Sequence, residues 1–247
     1  MGKRVKLEFT EIIDLSHTLV HEQEGRRFQV NPFLVDFTPR LIDVKGAPNV
    51  RPTTLEEANR DATPEGYYVL LHELAFNTNA GTHIEVPRHC FKDGFDLSEF
   101  PLENMVGEAV ILDLRGCKPQ TEVAVHHLLE AEEGSGKIKS GDIVFCMFGH
   151  DRFYKTDHYK RCPYFALEAI HWLVERGIKV LGVDAPEIDA PNAIRPVNHL
   201  PLFQANIPLI ENLKNLNKIG VSRVYVFILP VKVKFLDAFP VRVIALK

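Results

Sequence analysis

The chain of 247 residues is sparing with cysteine. It has four, Cys90, Cys117, Cys146 and Cys162, and no two form a Cys-x-x-Cys pair. That argues against a small disulfide scaffold and favours free or buried thiols, as in a reducing cytosol, so a cytoplasmic location is expected. Long hydrophobic runs are also missing. Nowhere do about 18 apolar residues run together, so no membrane-spanning helix is predicted. The opening Met1-Gly2-Lys3-Arg4-Val5-Lys6 is basic but runs into Glu8, Glu11 and Asp14 without an apolar stretch, so no secretory signal is read. Lys6 stands where a myristoylation motif needs Ser or Thr. An excess of basic charge is absent too: 29 Lys and Arg face 33 Asp and Glu, a net charge of −4. General nucleic-acid and anionic-membrane binders need a basic footprint, and neither partner is expected here. There is no internal repeat and no low-complexity linker.

What remains is an ordinary globular composition, 45% hydrophobic and 25% charged, with 11 histidines. The length allows one large domain or two small ones. Without a composition break the reading is a single domain over residues 1–247, with an irregular, loop-rich segment at 23–63. Outside that segment two periods alternate. Tyr67–Phe76, Glu108–Leu114, Ile143–Phe148, Ile178–Val183, Val224–Leu229 and Val241–Leu246 read as strands, the first two as buried ones. Val231–Phe235, where Lys alternates with apolar residues, reads as a half-exposed strand. Thr121–Glu133 reads as a helix with Val125, Leu128 and Leu129 on one stripe. Tyr164–Arg176 is a second helix, stopped by Gly177, and Leu213–Ile219 a short third one. The mixture predicts an α/β fold.

The chemistry concentrates in Asn79-Ala80-Gly81-Thr82-His83-Ile84-Glu85-Val86-Pro87-Arg88-His89. Gly81 and Pro87 disfavour helix, and Thr82, Ile84 and Val86 are β-branched, so the segment is expected to be extended. Alternation then puts Thr82, Ile84 and Val86 on a core face. Asn79, His83 and Glu85 fall on the other, with His89 if the extension survives Pro87. Imidazole and carboxylate on one face suit a divalent metal; the same pattern also fits the solvated face of a strand. Glu211, after the apolar Ile207-Pro208-Leu209-Ile210, is either a surface carboxylate at a strand end or an inward one. An inward one needs a cation or other partner.

The motif resembles the signature of the putative cyclase family, which includes bacterial kynurenine formamidase and isatin hydrolase: His-x-Gly-Thr-His-x-Asp-x-Pro-x-His. The resemblance runs in the family's order from about residue 10 to 245. It takes in Ile12-Ile13-Asp14-Leu15-Ser16-His17, Gly141-Asp142-Ile143-Val144, Gly182-Val183-Asp184-Ala185-Pro186-Glu187-Ile188-Asp189, His199, Glu211-Asn212-Leu213 and Pro240-Val241-Arg242. It implies a swivelling β/β/α fold within the α/β class, assembled as a homodimer or tetramer. It also implies one or two divalent ions, Mn or Zn, held by His83, Glu85, His89 and Glu211, with His199 as the catalytic acid/base. The implied activity is metal-dependent hydrolysis of a small amide, cyclic amide or imide, or lactone. A metal-assisted cyclase or lyase, and a non-catalytic relative, are the alternatives. Asn79 occupies the place of the first metal histidine and Glu85 that of the aspartate. An amide ligand at Asn79 would shift preference from Zn towards Mn or Mg. His17, Phe33, Phe148 and His150 are the candidate substrate-binding residues.

Overall fold

The computed structural model describes residues 6–20, 28–35, 50–54, 56 and 69–247. The chain divides into two compact units, Met1–Thr18 with Gly81–Lys247, and Leu19–Ala80. The strands are β1 (Ile12–Asp14), β2 (Phe28–Val35), β3 (Val50–Pro52), β4 (Val69–Phe76), β5 (His83–Glu85), β6 (Val106–Asp113), β7 (Glu122–Val123), β8 (Ile143–Met147), β9 (Tyr164–Phe165), β10 (Val180–Val183), β11 (Leu209–Glu211), β12 (Arg223–Ile228), β13 (Ala238–Pro240) and β14 (Val243–Leu246). The helices are α1 (Val125–Ser135), α2 (Leu167–Glu175), α3 (His199–Gln204) and α4 (Leu216–Ile219).

The larger unit is built on a nine-stranded mixed sheet ordered β1-β14-β12-β6-β8-β10-β11-β5-β13. Its centre, β6-β8-β10-β11, is parallel, and the strands outside it are antiparallel. Central parallel strands are covered on both faces, which is why β8 and β10 read as unbroken apolar runs and are buried throughout. Alternation divides each strand between two cores. On one face Val110, Leu112, Val144, Cys146, Leu181, Val183 and Leu209 pack with Leu128 of α1, Ile170 and Leu173 of α2 and Phe203 of α3. On the other Ala109, Ile111, Phe145, Val180, Ile84 and Ile210 pack with Leu216 and Ile219 of α4. This is the expected α/β architecture.

The structure corrects several local expectations. Of the 23–63 segment, Phe28–Val35 and Val50–Pro52 are strands, joined with β4 in a three-stranded sheet ordered β3-β2-β4. Much of the remaining segment lies outside the described residues. Pro32 concealed β2; the sheet tolerates it because β3 pairs only with Phe33, Leu34 and Val35, leaving Pro32 bonded on one side. β4 is a strand but not a buried one, since Leu74 and His72 are exposed. α1 starts at Val125 because Glu122 and Val123 pair in parallel with Tyr164 and Phe165. That same pairing delays α2 to Leu167. Leu129 faces outwards, and the buried stripe of α1 is Leu128, Ala131, Glu132 and Ser135. Residues 229–235 form no strand.

Candidate metal centre

Short antiparallel strands position the first three functional side chains. β11 pairs β5 so that Glu211 lies opposite His83, Ile210 opposite Ile84 and Leu209 opposite Glu85. With Ile84 and Ile210 committed to one core, His83, Glu85 and Glu211 must project from the opposite face. All three are buried, so Glu211 is the inward carboxylate, not a surface one. Backbone reversals bracket them. Gly81 (φ 64°) precedes His83 and Asn212 (φ 58°) follows Glu211, both in the left-handed region that glycine and asparagine tolerate best. The Gly81 carbonyl accepts from His83 Nδ1 at 2.9 Å and from the Asn212 amide at 3.2 Å, which locks the two reversals together.

His89 arrives by a different route from the one expected. Extension ends at Val86, and Pro87–His89 form a single 3-10 turn. The turn still brings His89 Nε2 to 3.7 Å from Glu85 Oε1. Gly94 packs against this turn so closely that a Cβ there would sit 2.6 Å from the Pro87 carbonyl carbon. His199 enters from the first turn of α3, buried, with Nε2 3.4 Å from Glu85 Oε2, 3.9 Å from Glu187 Oε1 and 4.0 Å from Glu211 Oε1.

The three imidazoles share one arrangement. Each engages an oxygen through Nδ1 and turns Nε2 inward: His83 on the Gly81 carbonyl, His89 on Asp237 Oδ2 at 2.7 Å, and His199 on Asp189 Oδ2 at 2.6 Å. An acceptor at Nδ1 fixes the tautomer whose Nε2 carries the lone pair, the usual support behind a metal-bound histidine. Asp189 and Asp237 were not singled out from sequence. Asp189 lies within the Gly182–Asp189 stretch that carried the resemblance, so its segment was in view. Asp237 is 148 residues from His89 and reaches it only because β13 pairs with β5, which no local pattern reveals.

Electrostatics mark the cluster as short of positive charge. Burial raises the Glu211 carboxyl, and the neighbouring Glu85 charge raises it further; hydrogen bonding to His83 offsets part of this, leaving it at about 8. Glu85 is driven the other way: burial opposes ionisation, but hydrogen bonds with His199 and His83 hold it well below the usual carboxylate range. Burial disfavours the charged imidazolium of His83, yet its bonds to Glu211 and Glu85 lift it to about 10. His199 rises to about 11 against burial through Asp189 and Glu85. In the metal-free protein, protons on His83 and His199 thus provide positive charge beside the carboxylates, and a proton on Glu211 removes one negative charge.

The donors fit a divalent cation. His83, Glu85 and Glu211 present ligand atoms within 4.8 Å of one another, as do Glu187, His199 and Glu211. His83 Nε2 stands 3.4 Å from both Glu85 Oε1 and Glu211 Oε2. That is long for an N–H···O hydrogen bond. It matches the edge of a tetrahedron of ligands about 2.1 Å from a central ion, roughly 3.4 Å. Glu211 Oε1, fully buried, has no hydrogen-bond partner among the described residues.

These features coincide with the findings from known proteins. The family model described as putative cyclase matches residues 13–190. The chain belongs to the putative cyclase family. It is 27% identical over 178 residues to the kynurenine formamidase of Erythrobacter litoralis, covering 70% of this chain and 76% of the relative. It is 26% identical to that of Salinibacter ruber, covering 71% and 79%. Isatin hydrolase A from Labrenzia aggregata shares the fold, with a TM-score of 0.72 over 95% of this chain and 93% of its own at 22% identity. A potential metal-dependent hydrolase with cyclase activity superposes at 0.67 over 95% and 96%, at 21% identity. The swivelling β/β/α class expected for such a cyclase-family chain therefore holds.

The remaining candidates separate. Asn79 belongs to the smaller unit, in the turn after β4. Its N–H donates to Asn77 Oδ1 at 2.9 Å and its Oδ1 accepts from the Thr78 hydroxyl at 3.2 Å. The Phe33 side chain lies outside what is described. His17 is partly buried, stacked on Tyr154 at 3.7 Å, and its N–H donates to Thr82 Oγ1 at 2.8 Å. Burial, then the Lys214 charge, lowers it to about 4, so it is neutral at pH 7, and its Nε2 has no hydrogen-bond partner among the described residues. Phe148 and His150 are both buried. Phe148 is in the core, edge-on to Phe165. His150 is buried, and its ring bonds the Tyr159 carbonyl at 2.8 Å. Both backbone N–H groups, with that of Gly149, are gathered by the Asp184 carboxylate.

Proposed function

We propose that this cyclase-family chain is a metal-dependent hydrolase cleaving a small amide, cyclic amide or imide, or lactone. The observation carrying this is the buried His83–Glu85–Glu211 group, with His83 Nε2 turned inward and a Glu211 oxygen that has no hydrogen-bond partner among the described residues. The kynurenine formamidases among its relatives support an amide as the bond class. The departures at Asn79 and Glu85 favour a different amide from theirs.

A divalent cation bound here would lower the pKa of a coordinated water from 15.7 towards about 7 and would polarise the scissile carbonyl. His83, Glu85, Glu211 and His199 would hold it. We divide the histidines differently from the family resemblance. His199 is buried and its Nε2 faces three carboxylates, the setting of a ligand. His89 is 28% exposed at its side chain and stands at the edge of the cluster, outside both donor groups, the setting of a proton carrier. Its Nε2 takes a proton from the attacking water as the new C–O bond forms, while Asp237 stabilises the imidazolium through Nδ1. The proton then passes to the leaving nitrogen, or to the lactone oxygen, as that bond breaks. The neutral His17 ring and its Nε2 face the substrate in this reading. The ion is Mn or Zn, one or two per chain. The chain acts as one functional domain in a dimer or tetramer, and its four free thiols support a reducing, cytoplasmic setting.

The test is a panel of formamides, cyclic imides and lactones turned over by metal-loaded protein in H₂¹⁸O. One ¹⁸O per product is expected; turnover without incorporation excludes hydrolysis. His89→Asn should keep its metal and lose about 10²–10⁴-fold in kcat, whereas His199→Asn should lose metal. The opposite pattern would restore His199 as the acid/base.

A further inference from the structure

Glu187 was not among the residues expected in the site, yet it belongs to a donor group with His199 and Glu211. Both central carboxylates span the cluster. Glu85 directs Oε1 to His83 and Oε2 to His199, each at 3.4 Å. Glu211 directs Oε2 to His83 at 3.4 Å and Oε1 to His199 at 4.0 Å. The cluster thus has two ends. The His83 end has one imidazole and an oxygen from each carboxylate. The His199 end has the second imidazole, the other oxygen of each carboxylate, and Glu187 Oε1 at 3.9 Å from His199 Nε2. Glu211 Oε1, which has no hydrogen-bond partner among the described residues, is at this second end.

We propose that Glu187 is a metal ligand, completing a second divalent-cation position with His199, Glu85 and Glu211. The assignment rests on the metal-dependent reading above and specifies its second position. One nitrogen and three carboxylate groups make this end oxygen-rich, so it should prefer Mn²⁺ to a softer ion. Glu187 is also held ready for the role. Its Oε1 accepts the backbone N–H groups of Ile188 at 2.8 Å and Asp189 at 2.9 Å, which fastens the side chain over the turn carrying Asp189. The same Asp189 supports His199 from behind. Half of the Glu187 side chain remains exposed, which places it at the solvent side of the cluster.

Glu187→Gln tests this cleanly, because the amide oxygen can still accept from Ile188 and Asp189 while the ligand charge is lost. Metal-free wild type and variant would be titrated with MnCl₂, with bound metal counted after removal of free ion and the EPR spectrum recorded. The wild type should bind two Mn²⁺ per chain with an exchange-coupled spectrum. The variant should keep one and bind the second about 10–100-fold more weakly, with an uncoupled spectrum. Two equally tight ions in the variant, or one ion only in wild type, would overturn the role of Glu187 and leave the hydrolase reading intact. No ion in wild type would instead remove that reading.

Discussion

At the scale of single residues, the site is a contest between protons and a cation for the same atoms. In the metal-free protein His83 and His199, lifted to about 10 and 11, carry protons at pH 7, as does Glu211, raised to about 8. A cation must displace them, so its apparent affinity should rise with pH between 6 and 8. Each displaced proton contributes a factor of about ten per pH unit, giving a slope of about two to three. Calorimetry in buffers of different ionisation enthalpy checks this: net proton release is expected, and a pH-independent affinity would contradict it. The stability of the metal-free fold has the opposite pH dependence. The raised histidines stabilise the metal-free fold below about pH 6.5, and that contribution disappears as pH climbs past 10. His83 and Glu85 were legible in the sequence because strand alternation alone puts them together. The inward direction of Glu211 was not, since it depends on which strand β11 pairs with. His89 reached the cluster through a turn rather than by extension, so its membership was legible from the motif and its route was not.

At the scale of elements, the centre depends on how closely β10 packs beside its neighbours. Gly182 lies on β10, paired with Phe145 of β8 and Ile210 of β11. A Cβ there would sit 2.6 Å from the Phe145 ring and 2.8 Å from Leu213, both in a packed core. Gly182→Ala should therefore cost about 1–3 kcal/mol through overpacking. Urea unfolding measures it, and an unchanged midpoint would mean that Phe145 and Leu213 yield freely. The central strands and α2 could be read from apolar runs and helical stripes. Elements set by pairing were less accessible: β7 and β9 took the first turns from two expected helices, and β2 was hidden by Pro32. Propensity sees one segment at a time, whereas strand pairing is a property of two.

At the scale of the whole molecule, the donors come from β5, the turn after it, β11, the loop after β10 and α3, spread from residue 83 to 211. The unfolded chain has no such site, so a bound ion must stabilise the fold, by about 2.7 kcal/mol at a hundredfold excess over its Kd. The family motif marked the site because it is nearly continuous in sequence. Asp237, Asp189 and Glu187 stayed out of the sequence-based site because folding, not spacing, brings them there. The central claim, that the buried histidines and glutamates form a metal centre, is tested most directly by scanning calorimetry of metal-free protein with increasing MnCl₂ or ZnCl₂. The wild type should bind saturably with a rising Tm, and His83→Ala and Glu211→Ala should show neither. A Tm in wild type that does not respond to either metal, or an equal rise in both variants, would contradict the account.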